Sequence, residues 1–201
     1  MSDPGKVFQE LPIRVFLDTN VVQNVLVFGQ YIYLNHLSKP RERQLLLKGE
    51  RFRGDIESLK SVLTPVSRSP VQGIISELTI EELHLTANRR KRKSLEKWGF
   101  KLLEYSASIA VDVRRPRLTA VDGWLTDFIP SRNDRRLLYE SLVTECQAFI
   151  TMDYHTILRF RELLRKEGLR VLSPTEYWDA LSPWWRILTN PLETKPRGFK
   201  S

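Results

Sequence analysis

The sequence predicts an α/β protein, a three-layer sandwich in which helices cover both faces of a central, mostly parallel sheet. Short β-branched and aromatic runs recur along the chain, and most are followed by a segment with helical apolar spacing. Strands that alternate with helices are joined by crossovers, which makes neighbouring strands parallel. Two of the apolar runs also end directly on a polar-acidic cluster, as strands do when they deliver side chains to one rim of a sheet.

The first strand is Arg14 to Leu17, inside Pro12-Ile13-Arg14-Val15-Phe16-Leu17, and it stops at the polar turn Asp18-Thr19-Asn20. Val21 to Leu34 places Val22, Val25, Leu26 and Ile32 at helical spacing. Residues 35–68 are richer in charge, with a helix expected near Phe52 to Leu63 and an exit punctuated by Pro65 and Pro70. Val71 to Ser76 reads as a second strand. A helical pattern starts at Leu78, continues through Ile80 and Leu83 to Leu102 and Leu103, and has a break expected at Arg89-Arg90-Lys91-Arg92-Lys93. Ser108 to Val113 is compatible with a helix end or a strand. Asp134 opens a helix with Leu137, Leu138, Leu142 and Cys146 on one side. Ala148 to Thr151 is a strand ending at Met152-Asp153, His155 to Lys166 a helix, and Leu169 to Leu172 a strand. Ser173 then introduces a short helix, Pro174 to Leu181. One domain over 1–182 is expected, with 183–201 as a tail.

Composition narrows the function classes. The 201 residues carry 32 Lys and Arg against 24 Asp and Glu, a formal charge of +8. The surplus is spread over both halves of the chain, which favours a polyanionic partner, nucleic acid first. Apolar residues at 41% are enough for a core and too many for a disordered polyelectrolyte. No apolar run is long enough to span a membrane, and Met1 to Glu10 lacks the apolar stretch of a signal peptide, so a cytoplasmic location is expected. The lone Cys146 excludes an intramolecular disulfide framework and a multi-cysteine zinc site. No nucleophile elbow, P-loop or dinucleotide-binding glycine pattern occurs.

Four acids stand at strand ends or in the first turns of helices: Asp18, Glu82, Asp134 and Asp153. A parallel sheet would gather them at one rim. Two unit charges ~5 Å apart repel by roughly 3 kcal/mol at an effective dielectric of ~20, so such a cluster protonates or spreads unless a cation holds it. Mg2+ or Mn2+, which prefer oxygen ligands, suit it. Each acid also has a local alternative. Asp18, Asp134 and Asp153 could cap turns or helices, and Glu82, beside Glu77 and Glu81, could sit on a solvated helix face.

Taken together, Val15-Phe16-Leu17-Asp18-Thr19-Asn20, Ile75 to Leu83, Asn133-Asp134, and Ala148-Phe149-Ile150-Thr151-Met152-Asp153 resemble the PIN-domain nuclease family. That family includes the VapC-type ribonuclease toxins of toxin–antitoxin pairs. Val171 to Tyr177 resembles its usual ending, and the resemblance covers residues 12 to 181. It implies that Asp18, Glu82, Asp134 and Asp153 bind one or two Mg2+ or Mn2+ ions and that Asn20 and Thr151 line the same pocket. Glu82 is preferred to Glu81 because the family's acid directly precedes the residue matched by Leu83. In a helix, Thr79, Glu82, Leu83 and Thr86 would also share a face. The implied activity is endoribonuclease hydrolysis of RNA, with an antitoxin protein and a homodimer as implied partners. A PIN-like RNA- or protein-binding module with little catalysis is the alternative. Relative to compact members, 28–70 and 89–130 are enlarged or inserted. Asp112, Asp122 and Asp127 in the second of these could supplement Asp134. Arg89, Arg90, Arg92, Arg135 and Arg136 are candidates for phosphate contact, and a solvated helix face is the other reading of the 89–93 run. Tyr31, Tyr33, Trp124 and Trp184-Trp185 could stack on bases or pack in the core.

Overall fold

The computed structural model describes residues 11–63, 71–77, 79–80, 125–166 and 168–185. Strand β1 (Arg14–Leu17) is followed by helices α1 (Thr19–Val27), α2 (Gly29–Leu34), α3 (Lys39–Lys48) and α4 (Glu50–Leu63). Then come β2 (Gln72–Ile74), α5 (Arg132–Val143), β3 (Ala148–Ile150), α6 (Arg161–Lys166), β4 (Val171–Leu172) and α7 (Pro174–Leu181). The four strands form one sheet in the order β2-β1-β3-β4, and every pairing is parallel.

Strand side chains alternate between the two faces, and the core divides accordingly. Val15, Leu17, Ala148 and Ile150 point into one cluster with Val22, Val25, Leu26, Ile32, Ile56, Leu59, Tyr177 and Leu181, which come from α1, α2, α4 and α7. Phe16, Ile74, Phe149 and Val171 point into the other, against Leu137 and Leu138 of α5, Leu164 of α6, and Leu125, Ile129, Ile157 and Leu169. Helices therefore cover both faces, which is the expected three-layer α/β sandwich. Phe16 and Phe149, partners in register on adjacent strands, stack with centroids 5.6 Å apart and planes 11° from parallel. Among the described residues no helix is long and apolar enough to cross a membrane.

Several boundaries depart from expectation for identifiable reasons. The single helix expected over 21–34 is two, because Phe28 leaves helical geometry (φ −102°, ψ 13°) and donates its N–H back to Asn24 O. Helix α3 gives little amphipathic signal, since Leu45 is buried while Leu46 and Leu47 are 66% and 79% exposed. Helix α5 starts two residues before Asp134, with Ser131 as its cap. Leu142 faces outward, and Cys146 lies beyond the helix end. Of the helix expected over His155 to Lys166, residues 155–157 form a turn and Leu158–Phe160 a 3-10 helix before α6 begins. Trp184 and Trp185 pack against the first core cluster, and Trp185 meets Trp178 edge-on.

Phe149→Ala is expected to lower unfolding free energy by about 3–5 kcal/mol in urea denaturation, because it empties the centre of the sheet and removes the Phe16 stack. A loss below about 1 kcal/mol would contradict this central placement.

Candidate active site

Strands β1 and β3 are neighbours, yet the chain leaves them toward opposite faces, into α1 on one side and α6 on the other. Such a switch point leaves a crevice beyond the strands' carboxyl ends, the usual ligand site of an open parallel sheet. Asp18, Thr19 and Asn20 follow β1 at this edge. Thr151, Met152 and Asp153 follow β3.

Asp18 stands at the cap position of α1 in extended conformation (φ −63°, ψ 151°) and is only 3% exposed. An aspartate there ordinarily turns an oxygen back onto the amides of its own helix. Asp18 makes no such cap. Its Oδ2 instead accepts from Thr151 Oγ1 at 2.5 Å and from Asn20 Nδ2 at 2.7 Å. Asn20 Oδ1 accepts from Met152 N at 3.0 Å, and Thr151 Oγ1 accepts from Asp153 N at 3.0 Å. The hydroxyl's single proton is thus committed to Asp18, and the loops after β1 and β3 are laced together around one carboxylate.

The other acids are placed by local structure. Asp153 Oδ1 accepts from His155 N at 3.1 Å and Thr156 N at 2.9 Å, an aspartate turn that fixes its backbone. Asp134 lies in the first turn of α5, where its amide donates to Ser131 Oγ at 3.2 Å. Asp153 therefore caps its own turn, whereas Asp134 is a first-turn acid of a helix capped by Ser131, and both carboxylates are close enough to act on Asp18. Burial pushes the Asp18 carboxyl up to about 7; the negative charges of Asp134 and Asp153 add to the rise, and the Thr151 hydroxyl and Thr19 amide oppose it. Among the described residues no three His, Cys, Asp or Glu side chains close on one point as metal ligands.

The remaining expected residues divide. Asn20 and Thr151 are joined to Asp18 as described. Glu82, Arg89, Arg90 and Arg92 lie outside the described residues. Thr79, three positions before Glu82, is fully buried and its Oγ1 is 2.8 Å from Thr19 Oγ1, which ties that segment to the residue after Asp18. Arg135 departs from the expected phosphate contact. It is buried, and its Nη1 donates to the carbonyls of Ile129 and Pro130 at 2.7 and 3.0 Å, so it holds the turn before α5. Arg136 is exposed enough to meet a ligand and pairs with Glu140 at 2.8 Å.

Two features went unread in the sequence. Asp55 is 1% exposed on α4, and its Oδ1 accepts from both Thr175 N (3.1 Å) and Thr175 Oγ1 (2.7 Å) at the start of α7. The signal was available: Asp55 shares a helical stripe with Leu59 and Val62, and an acid on an apolar stripe requires a buried partner. The second is Arg51, whose guanidinium lies over the Tyr154 ring. No sequence pattern links two residues so far apart.

The raised Asp18 pKa has a definite sign. Between the unfolded value near ~3.9 and the folded value the native state binds more protons, so this group's contribution to stability falls as pH rises from about 4 to about 7. Asp18→Asn removes that loss. In EDTA, the variant is expected to melt above the parent at pH 8, by on the order of 4 kcal/mol at most, with the gap closing near pH 4. A gap that does not change with pH would contradict the burial of a charged Asp18.

No protein-family model, no curated protein and no solved structure gave a match to the chain.

Proposed function

We propose that the chain is an endoribonuclease of PIN type that hydrolyses RNA phosphodiesters with Mg2+ or Mn2+ at the carboxyl edge of the sheet. One observation carries this reading: the buried Asp18 carboxylate, which makes no side-chain cap on its helix, is bonded instead by Thr151 and Asn20, and feels the charges of Asp134 and Asp153. A carboxylate so placed is costly by itself and favourable beside a cation. The acids proposed to meet a cation there offer carboxylate oxygens, which suit a hard dication better than zinc, while the Thr151 hydroxyl and the Asn20 NH2 are taken up in orienting Asp18.

Asp18, Asp134 and Asp153 would hold the ion, with Glu82 as the fourth acid on the sequence pattern. A bound dication of this type lowers the pKa of a water and neutralises charge on a phosphoryl oxygen. The chain's own contribution is positional. Thr151 and Asn20 fix Asp18 Oδ2, and the turn bonds of Asp153 Oδ1 fix that residue's backbone. The net charge of +8 favours approach of a polyanion to a site that is itself acidic.

A second reading rests on a specific observation. Asp153 Oδ1 is engaged in its own turn, and no three described acids close on one point. That arrangement also fits a binding module with little catalysis.

Cleavage of labelled single-stranded RNA distinguishes the two. The parent chain is expected to cut in Mn2+ and to stop in EDTA. Asp18→Asn and Asp153→Asn are each expected to lose at least about a hundredfold in rate while remaining folded. Undiminished cleavage by Asp18→Asn, or cleavage that persists in EDTA, would overturn the nuclease reading. RNA binding without any cleavage in Mn2+ would favour the module.

A further inference from the structure

Helix α4 starts at the same edge of the sheet as the Asp18 site, because Asp55 in its second turn holds the first turn of α7 where the chain leaves β4. One turn before Asp55 stands Arg51, which is exposed. Its guanidinium carbon lies 3.6 Å from the centroid of the Tyr154 ring. Tyr154 directly follows Asp153, and its ring packs against the second core cluster. The ring is thus a fixed platform, and Arg51 is a flexible side chain resting on it.

The pairing of Arg51 is informative. Asp55 is one turn away on the same helix and its carboxyl feels the Arg51 charge, yet among the described residues the Arg51 guanidinium makes no hydrogen bond or close ion pair. One face of the planar group is covered by the ring, which desolvates it and restricts its orientation. The N–H donors lie in the plane at its edge, and that fork matches two oxygens of a phosphate. A guanidinium stacked on an aromatic ring, with its donors unused, beside an acidic crevice on a basic protein, is complementary to a sugar–phosphate backbone.

We propose that Arg51, held on the Tyr154 ring, binds a backbone phosphate of single-stranded RNA and sets the strand against the edge that carries Asp18 and Asp153. The inference rests on the nuclease reading for its choice of RNA. Tyr154 acts as a positioning residue through Arg51. The lysines and arginines elsewhere on α3 and α4 supply general attraction, whereas Arg51 supplies a contact at a defined distance from the reacting edge.

The test is fluorescence anisotropy of the full chain with a fluorescein-labelled RNA of about 12 nucleotides, in EDTA so that no cleavage occurs. Salt is varied from about 50 to about 200 mM. Arg51→Gln is expected to weaken binding roughly tenfold and to reduce the slope of log affinity against log salt by about 0.7. Arg51→Lys keeps the charge and loses the fork, so it should fall between parent and Arg51→Gln. Tyr154→Phe should bind like the parent, and Tyr154→Leu, which lacks the platform, should weaken binding without changing the salt slope. Arg43→Gln, an exposed arginine on α3, is the charge-matched control and should cost less than Arg51→Gln. Melting temperatures close to the parent's keep each comparison interpretable. Equal effects of Arg51→Gln and Arg43→Gln, or no effect of Arg51→Gln, would overturn the proposal, as would failure of the parent to bind RNA. The nuclease reading is tested separately. Cleavage in Mn2+ that is lost in Asp18→Asn and unchanged in Arg51→Gln sinks only the Arg51 contact. Weakened binding by Arg51→Gln without any Mn2+-dependent cleavage sinks only the catalytic reading.

Discussion

The hydrogen bond from Thr151 Oγ1 to Asp18 Oδ2 spans 133 positions of sequence, and most of the candidate site hangs on it. It exists because β1 and β3 are adjacent parallel strands whose carboxyl ends finish level with each other, Leu17 opposite Ile150. The same register lets Asp18 N donate to Ile150 O, which carries the sheet pairing one residue beyond the strand. With Thr151 and Asn20 both donating to one oxygen, the carboxylate has little freedom to swing toward solvent. The fold therefore spends a good helix-capping residue on a different task.

The layers around this edge explain how a charge can be kept there. On one side α1 buries Val21, Val22, Val25 and Leu26, and on the other α5 buries Leu137 and Leu138. Both helices are held by extensive apolar contact, so the acids they carry are anchored independently of each other's charge. Helix α7 is fixed further by a reciprocal cap, in which Ser173 Oγ accepts from Glu176 N and Glu176 Oε2 accepts from Ser173 N. Asp55 adds a second carboxylate at that terminus, favoured by the helix dipole, and burial still raises its pKa. Regions of strong packing thus surround one buried acid, Asp18, whose carboxyl is pushed up first by burial and then by the charges of Asp134 and Asp153.

Much of this was legible in the residues, for physical reasons that can be named. The runs Val15–Leu17 and Ala148–Ile150 are apolar on both alternating sets of positions, which signals a strand buried on two faces and hence a parallel sheet with two helical layers. Asp18 and Asp153 could be singled out because they stand just beyond such strands, and Asn20 and Thr151 were implied by the family resemblance. The helix Pro174–Leu181 was read from Ser173 as its opening residue, and the structure adds the reciprocal bonds with Glu176. What was not legible depends on tertiary contact. Arg135 was expected to face a phosphate because it follows Asp134, whereas the turn of α5 carries it inward to the carbonyls of Ile129 and Pro130. Helix α3 escaped notice because it buries Leu45 and leaves its other leucines outside. The Arg51–Tyr154 stack joins α4 to the loop after β3, and only the assembled layers bring the two together.

The central claim is that Asp18 is kept buried for a cation. Calorimetric titration of the parent chain with Mn2+ at pH 6, 7 and 8, in buffers of different ionisation enthalpy, addresses it directly. A carboxyl held up to about 7 must lose its proton to bind a dication. The account therefore expects saturable binding that tightens as pH rises across this range, with proton release that fades by pH 8, and loss of that binding in Asp18→Asn. Absence of saturable binding at pH 8, or binding of equal strength in Asp18→Asn, would contradict it.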